Sequence, residues 1–183
     1  MGDTNNVIGQ DIGLYANRLL QNKNLKVGQE LKASDGGTID IFVNAQGETV
    51  GSINKDANGK IRNVAFEDKK EESSYNDVDK NGKIDSIFTK KEDSSKNGQN
   101  IDNLSLQLAN NKNLKVGQEI KAGDGGSIDI FVNAQGKEVG SINKDARGKI
   151  RNVSFEGKNE ESFYNDMDKN GTIDNGIVKK MQK

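Results

Sequence analysis

Hydrophobic residues recur along the chain with two different periods. The three-to-four-residue spacing that marks one face of a helix occurs at two places: Ile12, Tyr15, Leu19 and Leu20, and later Ile101, Leu104 and Leu108. After each of these stretches, apolar and polar residues alternate in short runs, as is typical of half-buried strands. The pattern therefore predicts a helix followed by several strands, twice in the same chain.

Five runs after the first helical stretch have strand character: TIDIFVN (38–44), ETVGSIN (48–54), KIRNVAFED (60–68), SSYNDVD (73–79) and KIDSIFTKK (83–91). The turn signals DGG, NAQG, DANG and DKNG separate them. We expect an α+β fold in which an antiparallel β-meander packs against one helix. The alternative is a purely β unit whose first segment is a loop.

The chain is a tandem duplication. The segment NKNLKVGQELKASDGGTIDIFVNAQG begins at Asn22, and a nearly identical segment begins at Asn111, an offset of 89 residues (111 minus 22). The match continues without a gap to the paired lysines at 179–180, and about three quarters of the aligned positions are identical. The sequence therefore predicts two tandem copies of one small unit, at 7–91 and 96–180, joined by a polar linker at 92–95.

Composition narrows the possible functions. Hydrophobic residues make up 31% of the 183 positions and aromatic residues 5%, so any core must be small. The net charge of −1 offers no basic surface for nucleic acid, and no apolar run is long enough to span a membrane. The absence of Cys and His excludes disulfides, zinc-thiolate sites and the usual general base. No signal peptide is visible in MGDTNNVIGQ at the start of the sequence.

Two acidic segments carry the candidate chemistry: DVDKNGKID at 77–85 and DMDKNGTID at 166–174. Acidic or amide side chains occupy positions 1, 3, 5 and 9, and a glycine occupies position 6, as in the first nine positions of a calcium-binding loop. Oxygen atoms at alternate positions of a tight turn converge on one point, and calcium prefers such an all-oxygen environment. The segments therefore predict two calcium sites.

The pattern departs from an EF-hand at position 12, where Phe88 and Ile177 replace the bidentate glutamate, and the flanking residues indicate strands. Over about nine residues per copy, the loop resembles the hairpin calcium loops of the FG-GAP repeats in integrin α-subunits. The resemblance implies that the side chains at positions 1, 3, 5 and 9 and the carbonyl of position 7 bind calcium. Carried over, these residues are Asp77, Asp79, Asn81, Lys83 and Asp85, and Asp166, Asp168, Asn170, Thr172 and Asp174.

A simpler interpretation of each loop is a polar hairpin with Asn-Gly at its tip, although such a turn does not require three acids. The hairpin NKDANGKIR at 54–62 has a similar outline, but Arg62 occupies position 9, and the second copy has Arg147 at position 5. Since arginine offers no acceptor, we expect this hairpin to bind no metal. Its DANGKI segment resembles the YD-type hairpin repeats of bacterial surface proteins. Asp35 and Asp124 could add oxygens to a site.

Together these features predict a non-catalytic, calcium-stabilised module of a bacterial secreted or cell-surface protein, with an adhesion or binding role toward an unknown protein or glycan. One alternative is a carboxylate-based glycan hydrolase, which requires two acids roughly 5 to 10 Å apart. Another is an intracellular calcium sensor, for which the three methionines supply no Met-rich groove.

Overall fold

The computed structural model describes residues 7–183, which contain two helices and twelve strands. The first repeat forms α1 (Ile12–Leu20), β1 (Lys26–Lys32), β2 (Thr38–Val43), β3 (Thr49–Lys55), β4 (Ile61–Glu67), β5 (Glu71–Asn76) and β6 (Ser86–Glu92). The second forms α2 (Ile101–Ala109), β7 (Lys115–Lys121), β8 (Ser127–Val132), β9 (Glu138–Lys144), β10 (Ile150–Glu156), β11 (Glu160–Asn165) and β12 (Asn175–Gln182). The interpretation of the N-terminus as lacking a signal peptide falls mostly on residues 1–6, which lie outside the described residues.

The chain divides into two compact units. One holds the residues up to Lys90 together with Lys180–Lys183, and the other is Lys91–Lys179. In the first repeat β1 to β6 are neighbours in chain order, with antiparallel registers from β1 to β5. In the second repeat β7 to β12 follow the same order, with antiparallel registers from β7 to β11. The predicted α+β meander is confirmed, and the purely β alternative is wrong because both helical stretches form helices.

Each helix begins at a side-chain cap and buries one face. The Asp11 carboxylate accepts a hydrogen bond from Gly13 N at 2.7 Å, and Asn100 caps α2 in the same way. The buried residues of α1 lie at helical spacing: Ile12, Tyr15, Ala16 and Leu19. Leu20, which was expected on this face, is instead 51% exposed. A nine-residue helix is marginal by itself, so packing on β3 and β4 stabilises it.

The core of the first repeat lies between α1 and one face of its meander. Phe42, Ile53 and Val64 come from the adjacent strands β2, β3 and β4 and are almost completely buried. On β2 the side chains alternate between faces, so Ile39 and Ile41 lie on the other face of the sheet from Phe42 and remain partly exposed. The second repeat builds the same kind of core from the equivalent positions of α2 and β8 to β10.

The strand β1 was not predicted from the sequence. All seven of its residues, KVGQELK, are exposed, so no buried face imposes an alternating pattern on them. Backbone pairing with β2, from Lys26 opposite Val43 to Lys32 opposite Thr38, defines the strand instead. The equivalent strand β7 is also exposed at every residue and pairs with β8.

Gly51 allows the helix to approach the sheet closely. A Cβ atom at this position would lie 2.6 Å from the Ala65 carbonyl oxygen and 2.8 Å from Leu19 Cδ2. Gly140 occupies the same place beneath Leu108 in the second repeat, with similarly short distances. Any larger side chain would therefore push the helix away from the strands.

We predict that Gly51→Ala and Gly140→Ala each lower the free energy of unfolding by about 1 to 3 kcal/mol, because the added methyl group overpacks the helix–sheet contact. Gly123→Ala is the control, since its Cβ would meet no atom within 4 Å, and we expect a change below about 0.5 kcal/mol. Urea unfolding followed by circular dichroism measures the difference. Equal stability of Gly51→Ala and the wild type would contradict the prediction.

Candidate metal centres

The two acidic loops connect the last two strands of each repeat. Residues 77–85 lie between β5 and β6, and residues 166–174 lie between β11 and β12. Lys80 and Lys169 are the non-glycine residues with positive φ among residues 7–183, at 68° and 66°, and Gly82 has φ of 84°. Left-handed backbone at two positions, one of them the glycine, produces the tight bend that the sequence predicted.

The bend brings three carboxylates together in each loop. One oxygen each from Asp77, Asp79 and Asp85 lies within 4.8 Å of the other two, and Asp166, Asp168 and Asp174 repeat the arrangement. Two oxygens that each lie about 2.4 Å from a shared calcium ion can be no more than about 4.8 Å apart. Both clusters could therefore hold a metal ion, in agreement with the donor spacing.

Backbone amides fix the orientation of the first and last carboxylates. Asp77 is 3% exposed; its Oδ1 accepts from Asn81 N at 3.1 Å and its Oδ2 from Gly82 N at 2.8 Å. Asp85 accepts through Oδ2 from the N–H groups of Val78 and Asp79, at 2.7 and 3.0 Å. Each carboxylate oxygen has more than one lone pair, so these hydrogen bonds leave capacity for a cation.

The amide side chain at position 5 is held inside the loop. Asn81 Oδ1 accepts from Lys83 N at 2.8 Å, and Asn81 Nδ2 donates to Asp79 Oδ2 at 3.0 Å. In the second loop, Asn170 makes the same two bonds, and the Thr172 hydroxyl also donates to Asn170 Oδ1 at 2.7 Å. The side chain at position 5 therefore lies beside the carboxylate of position 3 in both copies.

The segment before each helix binds the carbonyls on either side of position 7. Ile12 N donates to Gly82 O at 3.0 Å and Gly9 N donates to Ile84 O at 2.8 Å, so the carbonyls of positions 6 and 8 face this segment. The Lys83 carbonyl, which lies between them in the chain, takes no part in these hydrogen bonds. In the second repeat the same bonds go to Gly171 O and Ile173 O, and the Thr172 carbonyl likewise takes no part in them.

The pKa of one loop carboxylate, Asp168, lies above its ordinary value. Desolvation by the surrounding loop raises the pKa of Asp168, and the charges of Asp174 and Asp166 raise it further, against the hydrogen bond from Asn170 N. Like charges at this separation disfavour the ionised form, whereas a bound cation would favour it. The loop thus provides an environment in which a cation would relieve an existing repulsion.

Two arginines that the sequence analysis did not connect with the loops contact them directly. Arg62 Nε donates to the carbonyl oxygen of Asp77 and Arg62 Nη2 to that of Val78, both at 2.9 Å. Arg151 makes the equivalent bonds in the second repeat. The sequence pattern indicated for this arginine only that its own hairpin lacks a metal ligand at position 9. The occurrence of arginine at this position in both copies, Arg62 and Arg151, was the sequence feature that could have indicated a contact with the loop.

The other acids considered as ligands lie elsewhere. Asp56 Oδ1 accepts from Asn58 N and Lys60 N and so closes the NKDANGKIR turn. Asp35 and Asp124 each accept from the glycine two residues later. Within residues 7–183, the groups of three or more acids that could hold a metal are those of the two loops.

One further acid pair bears on the hydrolase alternative. Glu30 on β1 lies directly opposite Asp40 on β2, and Asp40 Oδ1 is buried without a hydrogen-bond partner. Glu119 and Asp129 form the same cross-strand pair in the second repeat. In each pair the glutamate lies on a strand that is exposed along its whole length, whereas one oxygen of the aspartate is buried.

Comparison of the chain with protein-family models, curated proteins and solved structures found no match. The resemblance of the acidic loops to FG-GAP repeats therefore rests on about nine residues per copy. Within residues 7–183, neither helix is long and apolar enough to cross a membrane. The function has to be inferred from the geometry of the loops themselves.

Asp40 supplies a prediction of pH dependence. Burial raises its pKa above the ordinary value of 3.8, the Glu30 charge adds to this, and Lys55 opposes it. A raised folded-state pKa stabilises the protein fully below the unfolded value, and this contribution is lost as the pH rises through the folded value. We predict that the unfolding free energy of the wild type, minus that of Asp40→Asn, falls as the pH rises from below the ordinary value of 3.8 through the raised folded-state value.

Chemical denaturation in a calcium chelator measures this difference at each pH. Glu30→Gln is the matched control, because it removes the neighbouring charge. In a Glu30→Gln background, the effect of Asp40→Asn on stability should therefore depend less on pH. Parallel stability curves for the wild type and Asp40→Asn would show that Asp40 titrates normally.

Proposed function

We propose that this chain binds two calcium ions, one in each acidic loop, and acts as a non-catalytic, calcium-stabilised module of a bacterial secreted or cell-surface protein. The observation that carries the proposal is the convergence of three carboxylate oxygens within 4.8 Å, repeated in both loops. A hairpin turn does not need three acids. Three carboxylates held this close repel one another, and a bound cation would offset that repulsion.

The donor set favours calcium over other metals. The proposed ligands are oxygens throughout: the side chains of Asp77, Asp79, Asn81 and Asp85 with the Lys83 carbonyl, and those of Asp166, Asp168, Asn170 and Asp174 with the Thr172 carbonyl. With no His or Cys in the chain, the preferred ligands of zinc and copper are absent. Magnesium requires a stricter octahedral geometry and keeps most of its water.

The expected affinity suggests where the module works. Five protein oxygens and no bidentate glutamate at position 12, where Phe88 and Ile177 stand, favour weak binding, with a Kd of about 10⁻⁴ to 10⁻³ M, as in extracellular modules. Such sites are filled outside cells and empty in the cytosol. This supports an extracellular module over an intracellular sensor, and its binding partner would be a protein or a glycan.

Calcium should stabilise the fold because the loops join elements that a small core holds only weakly. A Kd of 10⁻⁴ to 10⁻³ M and 10 mM calcium give about 1.4 to 2.7 kcal/mol per site from mass action. We predict a higher Tm in 10 mM calcium than in chelator, and two calcium ions per chain by calorimetric titration.

Single substitutions separate the two sites. Asp85→Asn and Asp174→Asn should each reduce the stoichiometry to one, and the double variant should show no calcium-dependent rise in Tm. Asp56→Asn is the control, because it makes the same chemical change in the hairpin that we expect to bind no metal. Four ions per chain, or an unchanged Tm of the wild type in calcium, would contradict the proposal.

We also propose that the two repeats are structurally independent copies of one unit. The gap-free repetition supports this. Asp93, which the sequence placed in the linker, belongs to the compact unit Lys91–Lys179, where its N–H donates to Gly176 O and its Oδ2 accepts from the Tyr164 hydroxyl. A fragment of residues 91–179 should therefore fold alone and bind one calcium ion, as judged by circular dichroism and titration. An unfolded fragment would instead indicate a core shared between the repeats.

A further inference from the structure

We propose that Arg62 and Arg151 are positioning residues that hold the two cation loops in their binding conformation. The inference rests on the proposed function, since it concerns how the same loops bind calcium. It is carried by the hydrogen bonds of the two arginines, which lie outside the acidic clusters and outside the ligand set.

Arg62 forms hydrogen bonds to the first ligand residue, Asp77, through both its main chain and its side chain. Its main-chain oxygen accepts from Asp77 N at 2.9 Å, and its Nε donates to Asp77 O at 2.9 Å. Its Nη2 donates to the next carbonyl, Val78 O, also at 2.9 Å. Thus one residue of β4 fixes the point at which β5 ends and the acidic loop begins.

The second repeat reproduces this arrangement. Arg151 O accepts from Asp166 N at 2.9 Å, while its Nε and Nη2 donate to the carbonyls of Asp166 and Met167 at 2.9 and 3.1 Å. The agreement holds although position 2 of the loop changes from valine to methionine. The contact therefore depends on the backbone of the loop and not on the side chain at that position.

The two peptide groups held by Arg62 are also held by a ligand carboxylate. In a planar trans peptide, the carbonyl of one residue and the N–H of the next point in opposite directions. Arg62 binds the carbonyls of Asp77 and Val78, and Asp85 Oδ2 accepts from the N–H groups of Val78 and Asp79. The guanidinium and the carboxylate of position 9 thus clamp the same two peptide planes from opposite sides.

This clamp explains why the residue is arginine. Two neighbouring carbonyls that face the same way match the two N–H donors of a planar guanidinium, whereas a lysine ammonium has no fixed fork. The charged donor also polarises both peptides and so strengthens the N–H groups that hold Asp85. Outer residues that orient ligands in this way typically change metal affinity about 10- to 100-fold when they are replaced.

The charge of Arg62 and its geometry predict effects of opposite sign. A positive charge repels calcium, so removal of the charge alone would tighten binding. Loss of the fork frees the peptide planes and with them Asp85, which would weaken binding. Arg62→Lys keeps the charge and loses the fork, whereas Arg62→Ala loses both. The sign of the change in affinity therefore identifies which role the arginine has.

The test uses the full chain in an Asp174→Asn background, so that calcium titration reports the first site alone. We expect Arg62→Lys to raise the Kd about tenfold and Arg62→Ala to raise it as well, in spite of the lost charge. Nuclear magnetic resonance should show the Val78 and Asp79 amide protons shifting in both variants without calcium. The control is Arg147→Asn in an Asp85→Asn background, in which titration reports the second site alone. This variant removes a charge from the equivalent hairpin but leaves the Arg151 fork, so the Kd of the second site should stay the same or fall.

The outcomes distinguish this inference from the proposed function. If the Asp174→Asn chain, which is the parent of the arginine variants, binds no calcium at 10 mM, both the proposed function and the positioning role are overturned. If the parent binds calcium but the Kd of Arg62→Lys is unchanged, or Arg62→Ala binds more tightly, the positioning role alone is overturned. A purely structural arginine would lower the unfolding free energy in chelator and leave the Kd of Arg62→Lys unchanged. The lysine variant decides the question even if the alanine variant fails to fold.

Discussion

Repulsion among three carboxylates in a nine-residue loop is the constraint on which the local structure of each repeat depends. The loop offsets it by turning its own N–H groups inward: four of them reach Asp77 or Asp85. That arrangement turns the carbonyls of Asp77 and Val78 outward, where Arg62 binds them. These contacts hold the acids close together, and a bound cation would further offset their repulsion.

The loop also links the candidate metal centre to the core. Ile84 occupies position 8, is 1% exposed, and exchanges two backbone hydrogen bonds with the segment that leads into α1. Ile12, the first residue of that helix, donates its N–H to Gly82 and buries its side chain in the same core cluster. A less ordered loop would thus directly weaken the contacts of the helix, because the small core offers few other contacts to replace them.

The two cores show that one backbone accommodates two packing solutions. In the first, the rings of Tyr15 and Tyr75 stack with their centroids 4.5 Å apart. In the second, Leu104 replaces Tyr15, and Tyr164 lies so close to Gly176 that a Cβ there would come within 2.8 Å of the ring. Leu104 and Gly176 are both smaller than their counterparts Tyr15 and Ile87, so the second copy packs around its tyrosine in a different way. The acidic loops, in contrast, keep every proposed side-chain ligand.

The sequence by itself determined the duplication, the helices, the turns and the acidic loops, because these depend on local spacing and on residues such as Gly82 that readily adopt the positive φ of a tight bend. It did not reveal β1, since an exposed strand carries no alternating pattern and is defined by its pairing with β2. It also did not reveal the contact of Arg62 with Asp77, which lies 15 residues away in the chain. Contacts of this range depend on strand register, which only the tertiary structure decided.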